Sequence, residues 1–269
     1  MGERLITSDS YYDCMNIIEK VYDFYHSYKG EKGVIGYTEK GNEIPYIKVR
    51  KTDFPVIIVQ YGIHAREHVT CRLALAQIED FSQNGKKGTV YFIPAVNIDG
   101  IEIALKEKPL YKANANGVDL NVNFDASWGK GEKNLLVRGD ENYIGKRPFS
   151  ESETKALRDF TLSVKPNATI SYHAKGEEIY WQFLQDENRK KRDFYIASRL
   201  ALVTGYSLKS TPNSCGGYKD WCIEKLKIPA FTIEVGKEEY PHPVCHKHLL
   251  EIYLQNKEVI DTLIQLIKE

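Results

Sequence analysis

The 269-residue chain has no excess of either charge, because 37 Lys and Arg stand against 37 Asp and Glu. Without a dominant basic field it lacks the footprint of a nucleic-acid binder, and no dense basic run marks a membrane surface. Long apolar runs are missing as well: stretches such as Val56–Val59 fall far short of the ~20 residues that cross a bilayer. The N-terminus passes from Met1-Gly2-Glu3-Arg4 to a polar stretch, Thr7-Ser8-Asp9-Ser10. That stretch has no apolar core of a secretory leader, so a cytoplasmic protein is expected. Cysteine is sparse and odd in number (Cys14, Cys71, Cys215, Cys222, Cys245), with no CxxC pair. This argues against a thiolate zinc site and a disulfide scaffold, and leaves reduced, mostly buried thiols as the expectation. No repeat, low-complexity tract or Pro/Gly/Ser linker divides the chain, and one catalytic domain over residues 1–269 is expected.

Short apolar runs rich in Val, Ile, Phe and Tyr fill that domain, at Ile44–Val49, Val56–Tyr61, Thr89–Ile93, Ala168–Tyr172 and Ala230–Val235. They are continuous rather than alternating in polarity, as in strands covered on both faces. Between them lie helical patterns at 9–29, at 67–83, after a capping-box signature at Ser150-x-x-Glu153, and at 248–268. Strands alternating with helices imply an α/β fold: a three-layer α/β/α sandwich around a mixed, largely parallel twisted sheet of about eight strands. Residues 105–148 are rich in Asn, Gly and Lys with weak periodicity and read as long loops, which in a compact domain usually serve function.

Three segments carry chemistry. His64-Ala65-Arg66-Glu67 follows the run 56–61; a histidine and a glutamate three residues apart at a helix start share a face and suit zinc. Alone, the pattern is more often a capped helix start with a hydrogen-bonded histidine. Ser171-Tyr172-His173 ends the run 168–172, where a lone histidine is more often a satisfied rim residue than a ligand. Phe231-Thr232-Ile233-Glu234-Val235-Gly236 embeds a carboxylate in an apolar strand end, a position glutamate rarely takes without a role. All three lie at the C-terminal ends of buried strands, where open α/β sheets place their sites. Their joint occurrence points to one ion held by His64, Glu67 and His173, with Glu234 beside it.

In this order the segments resemble the zinc carboxypeptidase family, from about Ile44 to the end. Asn97-Ile98-Asp99-Gly100 is similar to its N-P-D-G turn. Gly117-Val118-Asp119-Leu120-Asn121-Val122-Asn123-Phe124 is similar to its G-V-D-L-N-R-N-F segment, and Gly216-Gly217 with Asp220-Trp221 to its G-G-x-x-D-W stretch. The resemblance implies one Zn2+ ion on His64, Glu67 and His173, and Glu234 as general base. It also implies Lys112 where the family has an arginine that polarises the scissile carbonyl, and Arg66 and Asn121 on the substrate. Val122 replaces the arginine that clamps a terminal carboxylate, and Thr211-Pro212-Asn213-Ser214 offers no counterpart of the family's mobile tyrosine. The wording around Tyr111–Asn121 and Lys175–Trp181 resembles a bacterial subgroup that cleaves γ-D-glutamyl–diamino-acid bonds of cell-wall peptides. Lys219 aligns with the position that sets side-chain preference; it suits a carboxylate-bearing side chain, and a solvated surface lysine is the equal alternative. The partner expected is a peptide, with no nucleic acid and no membrane. A conventional metallocarboxypeptidase and a catalytically retired binding module are the competing readings.

Overall fold

A computed structural model describes residues 15–210 and 213–267. Eight strands form one open sheet: β1 (Glu31–Tyr37), β2 (Glu43–Arg50), β3 (Val56–Gln60), β4 (Thr89–Ile93), β5 (Ala168–His173), β6 (Glu178–Tyr180), β7 (Ser207–Lys209) and β8 (Ala230–Glu234). Their spatial order is β1-β2-β4-β3-β5-β8-β6-β7. The central pairs β4/β3, β3/β5 and β5/β8 are parallel, and antiparallel pairing of β1/β2, β2/β4 and β6/β8 makes the sheet mixed. The expected architecture is the one observed.

The apolar runs form strands because their alternate residues are buried on opposite faces. Ile57, Val59, Val90, Phe92, Ile170, Tyr172, Phe231 and Ile233 join one core. It is covered by α2 (Val69–Asn84), α5 (Glu187–Thr204), α7 (Leu249–Asn256) and α8 (Val259–Leu266). Ile58, Ile93 and Ala230 face a second core with α4 (Ser152–Val164) and α6 (Tyr218–Trp221). Ile17, Ile18 and Val21 of α1 (Ile17–Ser27) pack on Cys71 and Leu75 of α2 and on Ile98 and Ile101 of α3 (Ile98–Lys106).

Several boundaries differ from the sequence reading. The pattern at 67–83 is preceded by a separate 3₁₀ turn, Ala65–Glu67, and α2 begins at Val69. Ser150 does not cap: its hydroxyl donates to Glu151, and α4 begins at Ser152 with no side-chain cap. The C-terminal pattern is two helices rather than one, α7 and α8, because Lys257 and Glu258 interrupt it. The part of the 9–29 pattern before residue 15, Tyr12 included, lies outside the described residues, as do Thr211 and Pro212. Residues 107–151 hold only a 3₁₀ turn, Leu120–Val122, and one isolated bridge, Leu135 to Tyr143. Among the described residues, no helix is long and apolar enough to cross a membrane.

Candidate metal centre and cleft

Three adjacent parallel strands deliver the site. β5 lies between β3 and β8, with Gln60 opposite Ser171 and His173 opposite Glu234. The chain leaving β3 therefore brings His64 and Glu67 over the end of β5, where His173 points. His64 keeps extended backbone before the 3₁₀ turn that carries Glu67. All three side chains are buried. Nδ1 of His64 lies 2.9 Å from Oε1 of Glu67, Nδ1 of His173 lies 3.0 Å from its Oε2, and the two ring nitrogens are 3.1 Å apart. They form a group that can hold a metal ion.

The fit to zinc can be tested by distance. Ligands about 2.0–2.1 Å from a tetrahedral zinc stand about 3.3–3.4 Å from one another. The three separations fall a few tenths of an ångström inside that edge. Tautomer chemistry agrees, because Nε2 of His64 faces Oδ1 of Asp119 at 3.2 Å. A carboxylate can only accept there, so Nε2 carries the proton and Nδ1 presents its lone pair to the ion. Two imidazole lone pairs and a carboxylate converging within hydrogen-bonding distance call for a cation between them.

Asp119 lies in the Gly117–Phe124 motif, and its signal in the sequence is an acidic residue inside a mostly apolar stretch. It is fully buried and accepts four donors. His64 Nε2 and the Asn121 amide approach Oδ1, while Lys112 Nζ at 2.7 Å and the Asn142 amide approach Oδ2. Burial would raise its pKa, but Lys112 and His64 hold it well below the usual range. Burial would equally lower Lys112, and Asp119 outweighs that, holding the ammonium above its ordinary value.

Glu234 sits half-buried at the end of β8. Burial pushes its carboxyl up to about 8, with Glu67 and Glu178 adding to the rise while His173 and Lys112 oppose it. It lines a cavity of about 210 Å³ together with His64, Lys112, Asn121, Tyr180, Lys219 and Thr232. A second cavity, about 340 Å³, shares His64, Lys112, Asn121 and Ser214 and runs past Val122 toward residues 131–134.

The structure thus brings together His64, Glu67, His173, Glu234, Lys112, Asn121 and Lys219. Lys219 is 6% exposed, which corrects the alternative of a solvated surface lysine. Asp220 Oδ1 at 2.5 Å and the Gln182 carbonyl at 3.1 Å hold its ammonium in place. Arg66 lines neither cavity; its guanidinium reaches the Leu110 carbonyl and Glu141. Asn121 accepts the Tyr218 amide, tying the 3₁₀ turn to α6. Tyr180 is at the cleft and donates to Glu178, whereas Trp181 joins the core. Of the remaining histidines, His68 and His246 form a buried pair, His246 opening a 3₁₀ turn, His246–His248, and His248 stands at the start of α7. Cys215 is buried, and burial raises its thiol.

The zinc carboxypeptidase family profile matches residues 25–259. A γ-D-glutamyl-L-diamino acid endopeptidase of Lysinibacillus sphaericus is 29% identical over 280 residues, covering 90% of this chain and 69% of its own. Bovine carboxypeptidase B is 25% identical, covering 86% of this chain and 66% of its own. Among solved structures, bovine thrombin-activatable fibrinolysis inhibitor shares the fold with a TM-score of 0.82 at 21% identity, over 96% of this chain and 99% of the other. The murein-tripeptide amidase of Escherichia coli O157 does so with a TM-score of 0.60 at 21% identity, over 90% and 93%. With a profile that runs from within α1 to the start of α8 and a His-Glu-His trio fitted to one zinc ion, the chain belongs to the zinc carboxypeptidase family and is a zinc metallopeptidase acting on peptides.

Proposed function

We propose that the chain, as one catalytic domain, hydrolyses the amide bond between γ-D-glutamate and a diamino acid in bacterial cell-wall peptides. The observation that carries this reading is Lys219, a buried ammonium on the floor of the cavity that holds Glu234. A lysine has three donors. Two go to Asp220 and Gln182, which leaves one for a carboxylate on the substrate side chain. Such a group is foreign to the apolar side chains of ordinary peptides and native to the far end of diaminopimelate. Val122 in place of an anion clamp and the endopeptidase from Lysinibacillus sphaericus point the same way.

In this reading His64, Glu67 and His173 hold the zinc. When bound, the ion supplies Lewis acidity that acidifies a water and polarises the scissile carbonyl. Glu234 takes the water's proton and returns it to the leaving amine. Its carboxyl is suited to both steps, since desolvation makes it a stronger base than an exposed glutamate. Lys112, fixed by Asp119, faces the developing oxyanion, a contact worth about 3–4 kcal/mol for one good donor. Asn121 positions the peptide.

Zinc-loaded protein should cleave a γ-D-glutamyl–diaminopimelate peptide far faster than a hippuryl amino acid, and Lys219→Met should erase most of that preference. Equal rates on the two substrates would refute the reading in favour of a conventional carboxypeptidase.

A further inference from the structure

Not all the charged groups around the zinc trio belong to the two cavities. Arg66, next to Glu67, and Lys175, two residues past His173, line neither of them. The smaller cavity, in the reading just given, receives the diamino acid on the amine side of the scissile bond. The acyl half of the substrate therefore lies against the surroundings that this cavity leaves out. There the Lys175 segment is tied to the chain leaving Glu234, because the Gly176 and Glu177 amides both donate to the Gly236 carbonyl. That chain returns past the same place at His242, whose half-buried ring lies within electrostatic reach of Glu67, Arg66, Lys175 and Glu238.

What the acyl half carries follows from its linkage. A glutamate joined through its γ-carboxyl keeps its α-carboxylate free, separated from the scissile carbonyl only by its own side-chain carbons. An ordinary α-peptide has no anion at that place. An added carboxylate meets Glu67, Glu178 and Glu234, which already act on one another, so it needs a cation of its own. Lys175 supplies one. Its ammonium is held by the Glu238 carbonyl and, at 3.3 Å, by the Glu238 carboxylate, which is 81% exposed. An ion pair with so exposed a partner contributes little, and a substrate carboxylate can replace Glu238 at small cost. Arg66, engaged by the Leu110 carbonyl and Glu141, adds to the positive field. Burial lowers His242, so its ring offers a neutral hydrogen-bond donor rather than another charge.

We propose that Lys175, with Arg66 and His242 alongside it, binds the free α-carboxylate of a γ-linked glutamate on the acyl side of the scissile bond. The enzyme then selects wall peptides whose glutamate is a free acid over those in which that carboxylate is an amide. This rests on the γ-glutamyl reading of the site and adds which group of the glutamate is recognised, and by which residue.

The test compares a γ-D-glutamyl–diaminopimelate peptide with the same peptide in which the glutamate α-carboxylate is a carboxamide; an α-glutamyl peptide serves as the control. Zinc-loaded protein should favour the free acid over the amide in kcat/KM by about tenfold or more, mainly through KM, the worth of one charge-assisted hydrogen bond. Lys175→Met should bring the acid-to-amide ratio close to one, and Lys175→Glu should invert it, with zinc content and unfolding midpoint confirming that each variant is folded. Equal rates on acid and amide, or a preference for the amide, would overturn the proposal while leaving the γ-glutamyl reading in place. A ratio that survives Lys175→Met would overturn the assignment to Lys175. Cleavage confined to the α-glutamyl peptide would refute the γ-glutamyl reading instead. Calorimetric binding of the acid and the amide to zinc-loaded Glu234→Gln protein then still judges the carboxylate site, and failure of the acid to bind more tightly would overturn it.

Discussion

Replacing Asp119 by asparagine is the most searching perturbation of the centre. The carboxylate accepts four donors, two on each oxygen: His64 Nε2 and the Asn121 amide, Lys112 Nζ and the Asn142 amide. An asparagine keeps the shape but has one acceptor oxygen, so whichever way its amide turns, an NH₂ faces two donors. If it turns toward Lys112, an ammonium that is 17% exposed loses its counter-ion. If it turns toward His64, the ring loses the acceptor that fixes its tautomer. One charged and one neutral hydrogen bond are forfeited, about 2–4 kcal/mol together. For a chain of this size that lowers the unfolding midpoint by roughly 4–7 °C. Loss of an outer partner of a metal-ligating histidine typically weakens metal affinity 10–100-fold. Chelator competition on folded protein gives the zinc affinity, and thermal unfolding of the metal-free protein gives the stability. If Asp119→Asn kept both within twofold and 1 °C of the parent, then Asp119 would not be tying Lys112 and His64 together.

Glu234→Gln should abolish turnover yet retain a full equivalent of zinc by metal analysis; loss of the metal would instead make Glu234 a ligand. Glu153 is fully buried, and burial pushes its carboxyl up to about 7. Because the folded pKa lies above the unfolded one, the protonated state stabilises the fold fully below about 4.5, and that stability fades as pH rises through about 7, by about 3 kcal/mol in all. Glu153→Gln should therefore flatten the unfolding midpoint between pH 5 and pH 8, and an unchanged slope would refute this. Gly216 has φ of +86°, and a Cβ there would stand 2.8 Å from the Val122 carbonyl oxygen. Gly216→Ala should lower stability by at least about 2 kcal/mol in urea unfolding, and a smaller loss would show that the segment yields.

The centre was legible in the sequence because its residues end strands whose apolar runs are unmistakable: Val56–Gln60, Ala168–His173 and Ala230–Glu234. What was missed depends on contacts between distant segments. β6 and β7 have three residues each, and β7 is largely exposed, so neither shows a periodicity; β6 forms because β8 offers an edge, and β7 adds to β6 in turn. The burial of Lys219 depends on Asp220 beside it and on a carbonyl 37 residues away, which no local pattern reports. Asp119 acquires its role only when the folded chain brings it against His64, 55 residues away in sequence, and Lys112. Ser150-x-x-Glu153 read as a capping box because its spacing is right, but Glu153 is drawn into a buried network with Asn114 and the Glu39 amide instead.

His173 and Glu234 are direct partners across two neighbouring strands. Their spacing is set by the ladder of the sheet itself, and a slip of one residue would turn one of them away to the opposite face. The stretches that line the rest of the cleft, around Val122, Asn134 and Asn142 and from Asn213 to Gly217, hang on connecting segments that carry none of that register. Insertions or exchanges there can remould the groove while leaving His173 and Glu234 where they stand. Retargeting such a scaffold is thus a matter of rewriting its loops, with the sheet left alone.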